Sequence, residues 1–123
     1  MIIGIGTDII EIERIMKAVE RNENFLNKLF TEKEIEYFKL KKKAPNVIAG
    51  NFAAKEAVSK AVGTGFRSFG LKDIEVLRDE LGKPFVNISD KIYEVIGKKN
   101  ITIHISISHS IENAIAYAVM EER

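Results

Sequence analysis

Residues alternate in character from Ile2 to Ile10, with Ile3, Ile5, Thr7 and Ile9 on one side of an extended chain and Gly4, Gly6 and Asp8 on the other. The spacing predicts a strand on whose second face two glycines precede Asp8, so another backbone can approach it closely there. The period then changes. Ile12, Ile15, Met16 and Val19 recur at helical spacing, which predicts an amphipathic helix from about Glu11 to Arg21. Arg14, Lys17 and Arg21 form a basic stripe on its other side, extended by Lys28 if the helix resumes through Phe25 and Leu29. In Phe30-Thr31-Glu32-Lys33-Glu34-Ile35, Thr31 and Glu34 have the spacing of a capping box, with Phe30 and Ile35 as a hydrophobic staple. A helix is therefore expected from Thr31 to about Lys41, ending in a dense run of lysines before Pro45 closes the pattern.

A longer helix is expected from Val47 to Val62, with Ala54, Ala57, Val58, Ala61 and Val62 as its apolar stripe and Gly63-Thr64-Gly65 as its stop. Lys72 to Arg78 and Lys83 to Ile88 flank a turn containing Gly82, as in a hairpin, and Ser89 is placed to cap a short helix. Ile101, Ile103, Ile105 and Ile107 alternate with Thr102, His104, Ser106 and Ser108, and 113–120 supplies a partner strand. No repeat or flexible linker interrupts the chain. The expected fold is a single α+β domain over 1–123, an antiparallel-leaning β-sheet packed with helices.

Composition narrows the function. At 123 residues and 46% hydrophobic content the chain can bury a core of its own. The absence of cysteine excludes disulfides, thiolate zinc sites and a cysteine nucleophile. The N-terminus lacks the features of a signal peptide, and no apolar run reaches membrane-spanning length, so a cytoplasmic location is expected. Lys+Arg 19 against Asp+Glu 18 leaves a formal charge of +1, so a nucleic-acid partner is not indicated.

Chemistry concentrates in Phe52-Ala53-Ala54-Lys55-Glu56-Ala57-Val58-Ser59-Lys60-Ala61, where Glu56 and Lys60 lie one helical turn apart. By itself that is an ordinary exposed ion pair. Gly63-Thr64-Gly65, directly after it, offers unhindered N–H groups and a hydroxyl of the kind that hold phosphate. Asp8 is either a cap for the following helix or a metal ligand. Two carboxylates such as Asp8 and Glu56 suffice for magnesium when waters and substrate phosphates complete its shell. The Ser106-Ile107-Ser108-His109-Ser110 cluster suggests a hydrolase triad, but no nucleophile elbow is present and neighbours on a strand face opposite ways.

Taken in order, Gly4-Ile5-Gly6-Thr7-Asp8-Ile9-Ile10-Glu11-Ile12-Glu13-Arg14, Phe30-Thr31-Glu32-Lys33-Glu34, the block from Phe52 through Gly65, Leu81-Gly82-Lys83-Pro84 and Ser106-Ile107-Ser108-His109-Ser110 resemble the small holo-[acyl-carrier-protein] synthases of the 4′-phosphopantetheinyl transferase superfamily. The resemblance implies transfer of 4′-phosphopantetheine from coenzyme A to a serine of an acyl carrier protein, with release of adenosine 3′,5′-bisphosphate, in support of fatty acid biosynthesis. It implies that Asp8 and Glu56 hold Mg²⁺ and that Lys60 neutralises the coenzyme A diphosphate. It also implies that Gly63, Thr64, Gly65, Lys83, Pro84, Ser108 and His109 lie along the coenzyme A site, the last two near its nucleotide end. Arg14, Lys17, Arg21 and Lys28 are the expected surface for the acidic carrier. Family members of this size are trimers with active sites between subunits. For the proton of the carrier serine, Glu56 acting through a water held at the metal is the candidate base, and a free water the alternative. One departure stands out: Asn51 occupies a position where the family usually has arginine, so a phosphate contact is expected to be missing or supplied by the lysines between Lys39 and Lys43. A binding scaffold without turnover and a metal-dependent phosphohydrolase are the competing readings.

Overall fold

The computed structural model of the chain describes residues 1–63 and 68–123. It has the expected α+β class. A three-stranded antiparallel sheet runs in the order β1 (Ile2–Glu11), β5 (Asn113–Glu122), β4 (Ile101–His109), and β2 (Ile74–Arg78) pairs with β3 (Pro84–Ile88) in a separate hairpin. Helices α1 (Ile12–Arg21), α2 (Phe25–Leu29) and α3 (Glu32–Leu40) lie at one end, and α5 (Asp90–Ile96) follows the hairpin. Helix α4 (Pro45–Val62) crosses one face of the larger sheet and forms the centre of the core. No described helix is long and apolar enough to cross a membrane.

Small residues allow α4 to lie so close. Ala53, Ala54, Ala57 and Ala61 of the helix and Ala114, Ala116 and Ala118 of β5 are all buried between the two layers. On β1 the contact is closer still: a Cβ added to Gly4 would sit 2.0 Å from the Ala61 carbonyl oxygen, and one added to Gly6 would sit 2.0 Å from that of Ala57. The face of β1 that carries glycine is therefore the covered one, and its apolar face is open. Ile5, Ile9, Ile115 and Tyr117, exposed by 58%, 64%, 43% and 46%, form an uncovered apolar sheet surface.

Local boundaries differ from the sequence pattern for identifiable reasons. Pro45 begins α4 instead of merely ending what precedes it, because the first helical position needs no N–H donor. The turn before it places Lys42 and Lys43 in the left-handed region, at φ 56° and 54°, a strain of order 1 kcal/mol each in non-glycine residues. Lys72 falls in a single 3₁₀ turn, Leu71–Asp73, and β2 starts only at Ile74. Ser89 precedes α5 but makes no side-chain cap; its hydroxyl donates instead to Asp73 Oδ1 at 2.8 Å. The capping box at Thr31 forms as expected.

Replacing Gly6 by alanine forces a methyl group into a backbone carbonyl that cannot move without lifting α4 off the sheet. Urea denaturation should show a loss of about 3 kcal/mol, and an unchanged midpoint would refute this close seating.

Candidate active site

The seating of α4 on β1 determines what surrounds Asp8. Two residues of strand advance about 6.7 Å and one helical turn about 5.4 Å, so Gly4 against Ala61 and Gly6 against Ala57 place Asp8 one turn further, beside the turn that carries Glu56. Asp8 and Glu56 line one cavity of about 480 Å³, with Phe25, Leu29 and Phe52 among its walls and Arg14 reaching it from α1. Lys60, exposed at its tip, turns toward the strand: its Nζ lies 3.3 Å from Asp8 Oδ1 and donates to the Thr7 carbonyl at 3.0 Å. Asp8 is therefore no helix cap, and α1 has no side-chain cap at all. Burial pushes the Glu56 carboxyl above its usual value, the Asp8 charge pushes it further, and Lys60 partly opposes both. Among the described residues no group of three or more metal-ligating side chains occurs. The acid pair is the relevant feature.

Behind this cavity lies a buried polar cluster that the pattern of residues did not reveal. Glu34 and Lys55 form an ion pair with no solvent exposure on either side chain. Glu34 also accepts from the backbone N–H of Thr31 and Val76, at 3.0 and 3.2 Å. Lys55 donates to the carbonyls of Leu29 and Leu71, at 2.9 and 3.0 Å, and both of those residues are cavity walls. Burial pushes Glu34 up and Lys55 down, each held back by the other's charge. The capping-box spacing identified Glu34 as a cap; nothing in the sequence showed its second oxygen turned into the core. Asn51 belongs to the same cluster. It is fully buried and donates to the Val76 carbonyl at 3.0 Å and, at 3.4 Å, to Glu34 Oε2. The side chain at position 51 thus fills core space.

A second cavity, of about 430 Å³, lies at the other edge of the sheet, beside β4 and the β2–β3 turn. Lys83, Pro84 and His109 line it together with Arg78, Asn46 and Gly50. His109 Nε2 is 3.3 Å from the Asn46 amide nitrogen. Ser108 is not among its described walls; the register puts it on the open sheet face, the face that also carries His104, whose Nε2 lies 2.7 Å from Glu121 Oε1. Gly63 ends α4 in the left-handed conformation at φ 93°, whereas Thr64 and Gly65 lie outside the described residues. Arg14, Lys17 and Arg21 are exposed on α1, where Lys17 pairs with Glu13 at 3.3 Å. Lys28 is exposed on the separate helix α2, so it does not continue the α1 stripe on one cylinder.

A profile of the 4′-phosphopantetheinyl transferase superfamily matches residues 4–118, and a holo-[acyl-carrier-protein] synthase of Clostridium botulinum (strain Alaska E43 / Type E3) is 70% identical over 121 residues, 98% of either chain. The chain belongs to the holo-[acyl-carrier-protein] synthases of this superfamily. Solved synthase structures share its fold. That of Neisseria meningitidis has a TM-score of 0.88 at 34% identity, covering 99% of this chain and 100% of that one. The synthase of Bacillus anthracis, in complex with CoA (3′,5′-ADP), has a TM-score of 0.81 at 40% identity, covering 100% and 99%. As a member of the synthase family the chain is a phosphopantetheinyl transferase.

The raised Glu56 gives a pH prediction whose sign follows from linkage. A carboxyl raised above its usual 4.5 binds more protons folded than unfolded, so it lowers stability as pH rises through that window. Without metal, Glu56→Gln should therefore melt above the wild type at neutral pH. The difference should vanish below the usual carboxylate value, as thermal melts across pH will show.

Proposed function

We propose that the protein transfers the 4′-phosphopantetheine group of coenzyme A to a serine hydroxyl of an apo acyl carrier protein, Mg²⁺-dependently, and serves fatty acid biosynthesis in the cytoplasm. The observation that carries this reading is the convergence of Asp8 and Glu56 at one cavity, with Lys60 reaching Asp8 at 3.3 Å. The donor set fits a hard divalent cation: of the two carboxylates, Glu56 is held above its usual value by burial first and then by the Asp8 charge, and a bound cation would relieve both effects. Asp8 and Glu56 would hold Mg²⁺. When bound, the ion supplies neutralising charge to the diphosphate. Lys60 leaves Asp8 for a phosphate oxygen and stabilises the charge that builds there. The carrier serine Oγ attacks the β-phosphorus and the bond to the bridging oxygen breaks. Adenosine 3′,5′-bisphosphate departs with the electron pair, and Glu56, acting through a water, accepts the hydroxyl proton, with a free water as the alternative acceptor.

Arg14 at the cavity edge, with Lys17, Arg21 and Lys28, makes the docking face for an acidic carrier helix. Lys83, Pro84 and His109 belong with the nucleotide end of coenzyme A. Among the described residues their cavity and the acid-pair cavity share no wall residue, and they lie at opposite edges of the sheet. One cofactor molecule reaches both when a neighbouring copy contributes one of them. The uncovered apolar surface around Ile9, Ile115 and Tyr117 supports that assembly, a homotrimer with active sites between subunits.

Intact mass spectrometry of an apo carrier protein with coenzyme A and Mg²⁺ tests the reaction. The expected result is a gain of one phosphopantetheine, abolished by chelator and by Glu56→Gln, with Arg14→Glu/Arg21→Glu raising the carrier KM only. Phosphopantetheine released to water without a carrier would indicate a phosphohydrolase instead. For the assembly, Ile9→Asp/Ile115→Asp should shift sedimentation from trimer to monomer and remove turnover while the fold, followed by circular dichroism, persists.

A further inference from the structure

Helix α2 is only five residues long, well short of the length at which a helix persists by itself in water. Leu26 is its one buried side chain, and its N-terminus has no side-chain cap. Its surroundings nevertheless require a fixed position. Phe25 and Leu29 line the acid-pair cavity together with Arg14, Ile15 and Ala18 of α1. Lys28, between them in sequence, is exposed and has no ion-pair partner among the described residues. The C-terminus of α2 is fastened from the core. Leu29 is the last residue of the helix, and its carbonyl accepts from Lys55 Nζ at 2.9 Å, so a buried cation occupies the negative end of the helix. The Lys55 ammonium spends its other donors on the Leu71 carbonyl, at 3.0 Å, and on Glu34. The ring of Phe30, directly after α2, lies with its centroid 4.8 Å from Nζ. All three donors are therefore used. A fully buried ion pair adds little stability beyond that of apolar side chains of the same volume, but apolar side chains could not hold a carbonyl in place.

We propose that Lys55 is a positioning residue for carrier recognition: by fastening the end of α2 it keeps Lys28 in the basic face that Arg14, Lys17 and Arg21 begin on α1. The proposal rests on the reading of that face as the docking surface for an acidic carrier. Because α2 is a separate helix, Lys28 does not take its direction from α1. It takes it from α4, through Lys55. Lys55 and Glu56 are successive residues of α4, and their side chains leave the helix on different sides, Glu56 into the acid-pair cavity and Lys55 into the core behind it. One rigid helix thus sets both the place of a reacting carboxylate and the place of the carrier surface. The cavity of Lys83 and His109 has no wall residue from α2, so loss of the fastening acts on the carrier and spares coenzyme A.

Binding of a fluorescently labelled apo acyl carrier protein, followed by anisotropy, tests this without requiring turnover. Lys55→Met should weaken the carrier by about 10-fold or more and leave coenzyme A affinity unchanged. Lys55→Gln, whose amide still donates to one carbonyl, should lose less. Lys28→Ala should weaken the carrier by about 3-fold in the wild type and add nothing in the Lys55→Met background, because its ammonium is no longer held at the surface. A purely structural role for Lys55 gives additive losses. Additive losses, equal weakening of coenzyme A, or a carrier indifferent to Lys28 or Lys55 overturns the proposal. Where Lys55→Met does not fold, hydrogen exchange of the wild type decides. The amides of Lys28 and Phe30, which donate to the Asn24 and Leu26 carbonyls at 3.0 and 2.9 Å, should be protected as strongly as those of α4, and exchange at the rate of a frayed helix overturns it. The mass gain on the carrier is read separately. Carrier binding that depends on Lys55 without any mass gain supports this inference and sinks the transferase reading, and a mass gain with carrier binding indifferent to Lys55 does the reverse.

Discussion

The contact on which the rest of the molecule depends is made by atoms that are absent. Gly4 and Gly6 present bare backbone to the Ala61 and Ala57 carbonyls, which occupy the space where side chains would begin. Because strand and helix advance by similar distances per two residues and per turn, this seating also fixes register along both elements. Asp8, the first side chain on that face after the glycines, then lands beside the turn of Glu56 and within reach of Lys60. Packing and chemistry are here one constraint: a side chain large enough to separate β1 from α4 would also separate the two carboxylates.

The buried pair of Glu34 and Lys55 stabilises the same arrangement from behind. An ion pair without water offsets its desolvation only when its remaining hydrogen-bonding capacity is filled. It is filled here by backbone groups: Thr31 and Val76 donate to Glu34, and Leu29 and Leu71 accept from Lys55. Those four residues belong to the start of α3, to β2, to α2 and to the 3₁₀ turn. One ion pair thus ties together four separate segments, and Leu29 and Leu71 of two of them wall the acid-pair cavity.

The larger sheet is used on both faces for different ends. Its inner face carries small residues so that α4 can approach. Its outer face carries Ile5, Ile9, Ile115 and Tyr117, with no element of the described residues over them. Leaving that much β-branched and aromatic surface wet is costly for a domain of this size. The separation of the acid pair from the basic cavity across this sheet has the same origin, since β1 and β4 are its two edges.

Much of this was legible in the amino-acid order. The alternation of Gly4, Gly6 and Asp8, the helical alanines around Glu56, the Thr31 capping box and the isoleucine ladder of β4 are local periodicities, and local periodicity is what a strand or helix imposes on its own residues. The family motifs were legible for the same reason. What needed tertiary structure was every relation between segments distant in sequence: that Lys60 turns to Asp8 and not to Glu56, that Asn51 faces Glu34 in the core, that Lys55 is buried beside a carboxylate from another helix, and that Arg78 enters the cavity of Lys83 and His109. A side chain on a helix or strand has a predictable face, but its partner is set by which other face packs there, and that is decided only when the whole core closes.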